Sequence, residues 1–154
     1  MEAVHPGLSR RTFGFFAMAV LPAVESGAAD VDHRRAQFAR DVARSYERQY
    51  VAIDLHDVHG VFQNMRRPVL GVGVATGPHR AVLAAQAAVR DAGRMGDQTL
   101  LIIAFPPRQW RLSEYTGVLR NVGARLDADA TVIYGVCDDE TLTDGSVRVS
   151  VVTG

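Results

Sequence analysis

A short apolar run broken by two glycines and followed directly by an alanine-rich stretch constrains this fold more than any other feature. Residues 68–76 read Pro-Val-Leu-Gly-Val-Gly-Val-Ala-Thr, and such a β-branched run is typical of a strand inside a sheet. Glycine weakens a strand, so Gly71 and Gly73 indicate that another backbone approaches closely there. From His79 onward the apolar residues follow the helical period. The stretch therefore predicts a buried strand, a turn at Gly77 and a packed helix.

The glycine spacing in this stretch does not predict a nucleotide site. The pattern G-x-G-x-x-x-G is one residue longer than the dinucleotide fingerprint, which also needs an acidic residue at the end of the next strand. Asp91 has a suitable separation from Gly71, but the next apolar run begins only near Gln98. We therefore interpret the glycines as positions of tight packing.

Helical and strand patterns alternate along the rest of the chain. Asp32 is suited to cap a helix that runs to Tyr50, and Ser113 is suited to cap one that runs to Leu126. A further helix follows Asp54. Apolar runs predict strands at 99–105 and 131–136. Valines that alternate with Arg148 and Ser150 predict a further strand at 147–151 with one face exposed to solvent. These elements predict an α/β fold, a two-layer α/β sandwich with a four-stranded sheet, helices on one face and a preceding N-terminal helix.

Composition narrows the expected partners and compartment. The 154 residues carry 17 basic and 17 acidic side chains, and this zero net charge gives no reason to expect nucleic acid or an anionic membrane as a partner. The single cysteine, Cys137, excludes an internal disulfide and fits a reducing compartment, so we predict a cytoplasmic protein. We also expect no membrane span, because the apolar runs are short.

Residues 1–31 allow two interpretations. Arg10 and Arg11 precede an apolar run from Gly14 to Val24 and then a group of small residues, which is the layout of a twin-arginine export signal. The same apolar run is also strand-like, with aromatic and β-branched residues. We favour the strand, because the signal depends on a short motif alone.

Residues 54–65 hold the candidate catalytic side chains. Asp54 and Asp57 lie at the start of a predicted helix, where they can cap free backbone amides and complement the helix dipole. Two carboxylates one turn apart can also hold a water or a metal ion for acid–base chemistry. His56 and His59 add a candidate pair of metal ligands, but a zinc site needs a third fixed ligand, and we predict no metal site.

A second acidic group follows the predicted strand 131–136. Asp138, Asp139, Glu140 and Asp144 lack the Asp-x-Asp-x-Asp-Gly spacing of a calcium loop. We therefore predict a solvated turn there. Trp110, in the loop that follows the strand 99–105, is expected to pack its side chain into the hydrophobic core.

Two segments resemble one known family. Residues 71–89 are similar to the pattern G-x-G-x-A-x-G-x-x-R-A-x-x-A-A-x-x-A-I at the start of the C-terminal domain of the FtsZ family, tubulin relatives that act in bacterial cell division. Residues 54–65 resemble the family's N-x-D-F-A-D-V-x-x-V-M-x-N-M segment. The matching positions are Gly71, Gly73, Ala75, Gly77, Arg80, Ala81, Ala84, Ala85 and Ala88, and then Asp54, Asp57, Val58, Val61, Asn64 and Met65.

The resemblance implies a role for the segment before the second predicted helix. In the family this segment, the synergy loop, projects into the GTP pocket of the next subunit, where two aspartates position the attacking water. It therefore implies that Asp54 and Asp57 are catalytic in trans. The family's asparagine is Ala52 here, its phenylalanine is Leu55 and its alanine is His56. The resemblance divides the chain into an N-terminal segment, 1–50, and an FtsZ-like C-terminal domain, 51–154.

The sequence suggests three functions. The family's glycine- and threonine-rich phosphate loop does not occur in these 154 residues, so we expect no GTP binding, no cofactor and no enzymatic activity of the chain by itself. The first hypothesis is a truncated assembly module that docks its synergy loop on the GTP pocket of a full-length FtsZ and modulates its polymerisation or GTPase. The alternatives are a small metal- or ligand-binding enzyme domain that reuses the sandwich, and a gene remnant without function.

Overall fold

The computed structural model of the chain describes residues 28–47 and 49–154. The predicted strand within 14–24 and the alternative export signal lie outside the described residues. The elements, in chain order, are α1 (Ala28–Glu47), β1 (Gln49–Val51), α2 (Leu55–Asn64), β2 (Val69–Thr76), α3 (Arg80–Ala92), β3 (Gln98–Phe105), α4 (Leu112–Gly123), β4 (Thr131–Asp138) and β5 (Ser146–Thr153). No helix in these two ranges is long and apolar enough to cross a membrane.

The sheet is mixed and has the order β1-β4-β3-β5-β2. β3 and β4 run parallel, whereas the β1–β4, β3–β5 and β2–β5 pairs are antiparallel. The predicted α/β class with an N-terminal helix is confirmed, but the sheet has five strands and not four. The additional strand is β1, in which Gln49 pairs with Cys137 and Val51 with Val136. Three residues are too few to produce a recognisable strand period.

Helices cover both faces of the sheet, so the prediction of helices on one face was wrong. α3 and α4 pack on one side, against residues such as Leu101, Ile103 and Val149. α1 and α2 pack on the other side, against Leu100 and Ile102. The two buried clusters use alternate residues of β3, whose sequence is apolar without interruption from Leu100 to Phe105. Such a run is typical of a strand that is buried on both faces, which is the physical reason for the third layer.

The close approach predicted at Gly71 and Gly73 is confirmed, and it joins β2 to α3. A Cβ atom placed on Gly71 would lie 2.1 Å from the Ala88 carbonyl oxygen, and one on Gly73 would lie 2.0 Å from the Ala84 carbonyl oxygen. Both contacts are with backbone, which cannot rotate away. Ala84 and Ala88 of α3, which meet these two glycines, are fully buried. The small residues on both elements therefore let a helix lie directly on a strand backbone.

Several helix ends differ from the capping predictions. α1 begins at Ala28, so Asp32 lies inside the helix and does not cap it. α4 follows Arg111, which places Ser113 in the first turn, and no side chain caps this helix. α3 follows His79, which has a left-handed backbone with φ 61° and makes no side-chain capping bond. The predicted turn glycine, Gly77, does have positive φ, at 75°.

The outer edge of β2 is covered by an ion pair that joins the two helical layers. Arg34 of α1 contacts Asp91 of α3 and donates a hydrogen bond to the Leu70 carbonyl oxygen at 3.4 Å. The Asp91 carboxylate accepts a 2.8 Å hydrogen bond from the Val72 backbone N–H, a strand donor that faces away from β5. The two side chains therefore occupy hydrogen-bonding groups that an edge strand otherwise leaves open.

A buried ionic cluster fixes α1 to the centre of the sheet. Arg148 of β5 donates three hydrogen bonds to Asp41 of α1, from Nε to Oδ2 at 3.0 Å and from Nη2 to Oδ1 and Oδ2 at 2.7 and 2.9 Å, and it also pairs with Asp139. Arg44 approaches the same two carboxylates at 3.3 and 3.2 Å. Asp41 and Asp139 are 1% and 0% exposed. The prediction of a solvated acidic turn is therefore wrong for Asp139, because an arginine from β5 pairs with it in the interior.

Burial and pairing in this cluster shift the pKa values of its two carboxyl groups in opposite directions. Burial opposes ionisation of Asp139, but hydrogen bonds from Arg148 and Thr141 outweigh it and lower the pKa of Asp139 to about 2. Burial is also the largest influence on Asp41, and it raises the pKa of that carboxyl despite Arg148. Because the folded pKa of Asp139 lies below the ordinary value of 3.8, its stabilising contribution is present above that pH and is lost as the pH falls towards 2.

Replacing Gly73 by alanine tests the contact between β2 and α3. We expect Gly73→Ala to lower the free energy of unfolding by about 3 kcal/mol, because the new methyl group overlaps the Ala84 carbonyl. Urea denaturation monitored by circular dichroism measures the change. Gly60→Ala is the matched control: nothing lies within 4 Å of its Cβ position inside α2. It is expected to stabilise by about 0.5–1 kcal/mol, and similar losses in both variants would contradict the packing account.

Replacing Arg148 by methionine tests the ionic cluster. The substitution leaves Asp41 and Asp139 buried without their main counter-ion, so the free energy of unfolding is expected to fall by about 3–5 kcal/mol. Adding Asp41→Leu and Asp139→Asn removes the unpaired carboxylates and is expected to recover at least half of the lost free energy of unfolding. A triple variant that is no more stable than Arg148→Met would show that the cost does not come from uncompensated charge.

Candidate functional site

Asp54 and Asp57 lie where β1 leads into α2. Asp54 is the N-cap of α2, with extended backbone (φ −88°, ψ 129°), and its Oδ1 accepts a 2.6 Å hydrogen bond from the His56 backbone N–H. Asp57 lies in the first turn of the same helix. Both aspartates are exposed. The capping role predicted for Asp54 is confirmed, and the arrangement leaves two carboxylates at one helix N-terminus open to another surface.

Apolar anchors on either side hold this loop to the body of the domain. Ile53 and Val58 are 4% and 2% exposed and belong to the cluster beneath α1 and α2. Ile53 lies over Gly135 of β4, where a Cβ atom would come within 2.7 Å of the isoleucine Cγ2. The buried residues therefore alternate with the exposed aspartates, so the loop presents its carboxylates from a fixed base.

The two histidines of the segment do not assemble a metal site with other ligands. His56 and His59 are exposed on α2. Within residues 28–47 and 49–154, no group of three or more histidine, cysteine, aspartate or glutamate side chains could hold a metal ion. Cys137 is fully buried in β4, and burial raises the pKa of its thiol. A buried thiol of this kind is a packing residue and not a nucleophile.

An aromatic pair that the sequence did not indicate supports the strand entering the loop. Tyr50 of β1 stacks on Trp110, with ring centroids 5.0 Å apart and planes 6° from parallel. The Tyr50 hydroxyl donates a 3.3 Å hydrogen bond to Asp138 at the end of β4. Trp110 is half-buried and packs against the cluster beneath α3 and α4, so its side chain enters the hydrophobic core only in part. Residues 60 positions apart in sequence carry no local signal of such a contact.

A cavity of about 650 Å³ opens between the first turns of α3 and α4, and we call it the α3–α4 cavity. Its wall includes Arg80, which forms a bidentate pair with Glu114 through Nε–Oε1 and Nη2–Oε2 distances of 2.7 and 3.0 Å. Arg80 also donates from Nη1 to Gln109 Oε1 at 3.1 Å, and its guanidinium lies 5.7 Å from the Phe105 ring centroid. The hydrogen bond that Arg80 donates to Glu114 is the main reason that the pKa of Arg80 is raised. This arginine therefore holds the start of α3 to the start of α4.

Comparison with known proteins places this fold in a family. The FtsZ family C-terminal domain model matches residues 67–154, more than half of the chain. The chain belongs to the FtsZ family. The cell division protein FtsZ of Bartonella bacilliformis is 37% identical over 107 residues, which are 66% of this chain and 18% of that protein. The FtsZ of Rhizobium radiobacter gives the same identity and coverage. The chain thus spans less than a fifth of the length of these FtsZ relatives.

Solved structures agree with the family assignment. A structure titled "FtsZ W319Y mutant" from M. jannaschii has a TM-score of 0.72 and 25% sequence identity, and the match covers 92% of this chain and 44% of that one. An empty FtsZ dimer from the same organism also has a TM-score of 0.72, at 23% identity, over 90% of this chain and 42% of the other. The resemblance drawn from residues 54–65 and 71–89 is therefore confirmed at the level of family and fold.

Substitutions at Asp54 separate its structural role from its charge. Asp54→Ala removes the acceptor for the His56 N–H, and we expect it to lower the free energy of unfolding by about 1 kcal/mol. Asp54→Asn keeps a side-chain oxygen at the cap, so it is expected to cost a few tenths of a kcal/mol at most. Thermal unfolding of both variants measures the difference. Equal losses would show that the carboxylate charge, and not the capping oxygen, stabilises the helix start.

Proposed function

We propose that this chain docks its synergy loop, residues 52–57, on the GTP-binding surface of a complete FtsZ-family subunit and changes that subunit's polymerisation or GTP hydrolysis. The observation that carries the proposal is the exposure of Asp54 and Asp57 on a buried base, in a chain of the FtsZ family. The two aspartates occupy the positions that the family resemblance implies for water-positioning carboxylates. The partner would be full-length FtsZ or an FtsZ-like protein.

The local geometry suits a role in trans. A carboxylate accepts hydrogen bonds from a water and so orients its lone pair towards a phosphorus atom, while the phosphate-binding groups come from the opposite subunit. Asp54 Oδ1 is held by the His56 N–H, which fixes the carboxylate plane and leaves the second oxygen open. Asp57, one turn further along α2, supplies the second carboxylate. The loop would thus supply the two carboxylates that accept hydrogen bonds from the water, and the partner subunit would bind the nucleotide.

The departures from the family pattern favour an effect on assembly over an effect on hydrolysis. Ala52 lacks the carboxamide of the family's asparagine, so one hydrogen-bonding group is lost beside the nucleotide. His56 replaces an alanine with a larger, exposed side chain. A loop that docks but orients water poorly would occupy a filament end and slow turnover there.

As a separate molecule of 154 residues, the chain would end a filament and not extend it. A head-to-tail filament needs two complementary faces on every subunit, and the synergy loop supplies one of them. The sequence contains no glycine- and threonine-rich phosphate loop for the opposite face. We therefore propose that these residues alone have no GTPase activity and no cofactor, and that the protein acts in the cytoplasm beside its partner.

Mixing the purified chain with a full-length FtsZ and GTP tests the proposal. Phosphate release and sedimentation are followed in the same samples. We expect substoichiometric chain to lower both, because a capping protein acts at filament ends, which are few compared with subunits. A large molar excess that changes neither quantity would refute docking.

Charge-removing variants of the loop test whether the aspartates cause the effect. Asp54→Asn with Asp57→Asn keeps the helix cap and removes both charges, and we expect at least a fivefold loss of inhibitory potency, equivalent to about 1 kcal/mol. The matched control is Asp127→Asn with Asp129→Asn, which removes two exposed charges from the loop between α4 and β4. The control is expected to inhibit as well as the parent. A loop variant that also does so would contradict the role of the aspartates.

A further inference from the structure

We propose that residues 14–24 of the same molecule add a further strand to the sheet, along the part of the β2 edge that Arg34 and Asp91 leave uncovered. We call this part, residues 74–76, the open edge. It lies at the opposite end of the sheet from β1 and the synergy loop, so the proposal does not rest on the proposed function. Its basis is the chemistry of the open edge, the course of α1 and the amino-acid sequence of the run.

The open edge presents backbone groups without partners. In an antiparallel pair, a residue directs its N–H and its C=O to the same side, and successive residues alternate between the two sides. The Val72 N–H points outward, where the Asp91 carboxylate accepts it. Val74 and Thr76 have the same parity, so their N–H and C=O groups also point outward, and these groups have no hydrogen-bond partner in the described part of the chain. Such an edge is complementary to a second extended backbone.

Exposed apolar side chains border the open edge on both faces of the sheet. Val74 is 56% exposed and shares a face with Leu70, which packs with α1 and α2. Leu83 of α3 is 46% exposed and lies about two helical turns before Asp91 on the same stripe of the helix. Because Asp91 reaches the outer edge of β2, Leu83 borders that edge on the opposite face. An added strand therefore needs apolar residues at both alternate sets of positions.

Residues 14–24 have the composition that this edge requires. They read Gly-Phe-Phe-Ala-Met-Ala-Val-Leu-Pro-Ala-Val, without a charged or polar side chain. Aromatic and β-branched residues favour strands, and an unbroken apolar run is typical of a strand that packs on both faces. The same run would bury its own apolar surface and the exposed side chains of Val74 and Leu83 together.

The course of α1 brings the preceding residues to this edge. Its contacts with successive strands, in order along the helix, are Arg34 with Leu70 of β2, Asp41 with Arg148 of β5, and Ser45 with Gly135 of β4. The helix therefore enters from the outer side of β2. Residues 25–27 alone separate the apolar run from Ala28, so the run ends within about 14 Å of the helix start. Its eleven residues span about 36 Å when extended, which is enough to follow the edge to Thr76.

Hydrogen exchange followed by NMR tests the proposal in the full chain, after mass spectrometry has verified that residues 1–27 are present. We call the amides of Val74 and Thr76 the outward amides. On a free edge they exchange at nearly the rate of an unfolded chain, and we expect the added strand to slow them at least about tenfold. The Gly73 and Ala75 amides, which face β5, are reference amides for an intact sheet. Unprotected outward amides beside protected reference amides would overturn the proposal.

Proline substitutions identify the segment that protects the edge. Ala17→Pro with Met18→Pro removes one N–H from each alternate set of the run, so the ladder is interrupted whichever set faces β2. We expect the outward amides to lose their protection and the reference amides to keep theirs. The matched control, Ala3→Pro with Val4→Pro, places two prolines outside the run and is expected to exchange as the parent does. Outward amides that stay protected in the first variant would refute residues 14–24 as the cover.

Serine substitutions test the apolar border. Val74→Ser with Leu83→Ser removes both side chains, and we expect the protection of the Thr76 amide to fall at least about tenfold, because less apolar surface is buried. The matched control is Leu112→Ser, which removes an exposed apolar side chain at the start of α4 and is expected to leave that amide unchanged. Equal effects of the two variants would contradict the role of the border.

Protein concentration distinguishes the run of the same molecule from that of a second copy. A strand added within one molecule protects the outward amides equally in dilute and concentrated samples, because its effective concentration is fixed by the short connection to α1. We expect no dependence on concentration. Protection that grows with protein concentration would show that a second copy covers the edge, and it would overturn the proposal.

Discussion

The contact between the glycines of β2 and the alanines of α3 is the constraint on which the rest of the structure depends. A helix that lies on a strand backbone leaves no room for a side chain between them, so this pairing specifies both partners and their register. β5 then pairs with β2 along its full length, and β3 pairs with β5 on the other side. The position of α3 in turn fixes where its first turn meets α4, and so creates the cavity between them.

Sequence patterns were informative where a physical requirement acts locally. Gly71, Gly73 and Gly77 are needed for close approach or positive φ, and each does what its position predicted. Asp54 caps the helix that its position indicates. Contacts between residues that are far apart in the sequence could not be recognised from local patterns. Arg148 alternates with valines in a way that suggested a wet strand face, yet Asp41, 107 residues away, covers it.

The same distinction applies to the synergy loop and to the open edge of β2. The synergy loop is a continuous segment, so Asp54 and Asp57 were recognisable from their order along the chain. The open edge is bordered by Val74 and Leu83, which belong to different elements and are ordinary apolar residues until the fold brings them together. Likewise, the third layer of the fold depends on α1, whose polar and apolar residues alone do not tell which side of the sheet it covers.

The ion pair over the outer edge of β2 has a consequence for solubility. Open strand edges are templates on which other chains add strands, and here Arg34 and Asp91 occupy part of that edge. Arg34 belongs to α1, which is also the element that Arg148 holds to the sheet through Asp41. If α1 detached from the sheet, the apolar sheet face beneath it would be exposed and the edge of β2 would lose its cover at the same time. As long as α1 stays attached, it therefore hinders the addition of strands from other chains, which is the first step of cross-β aggregation.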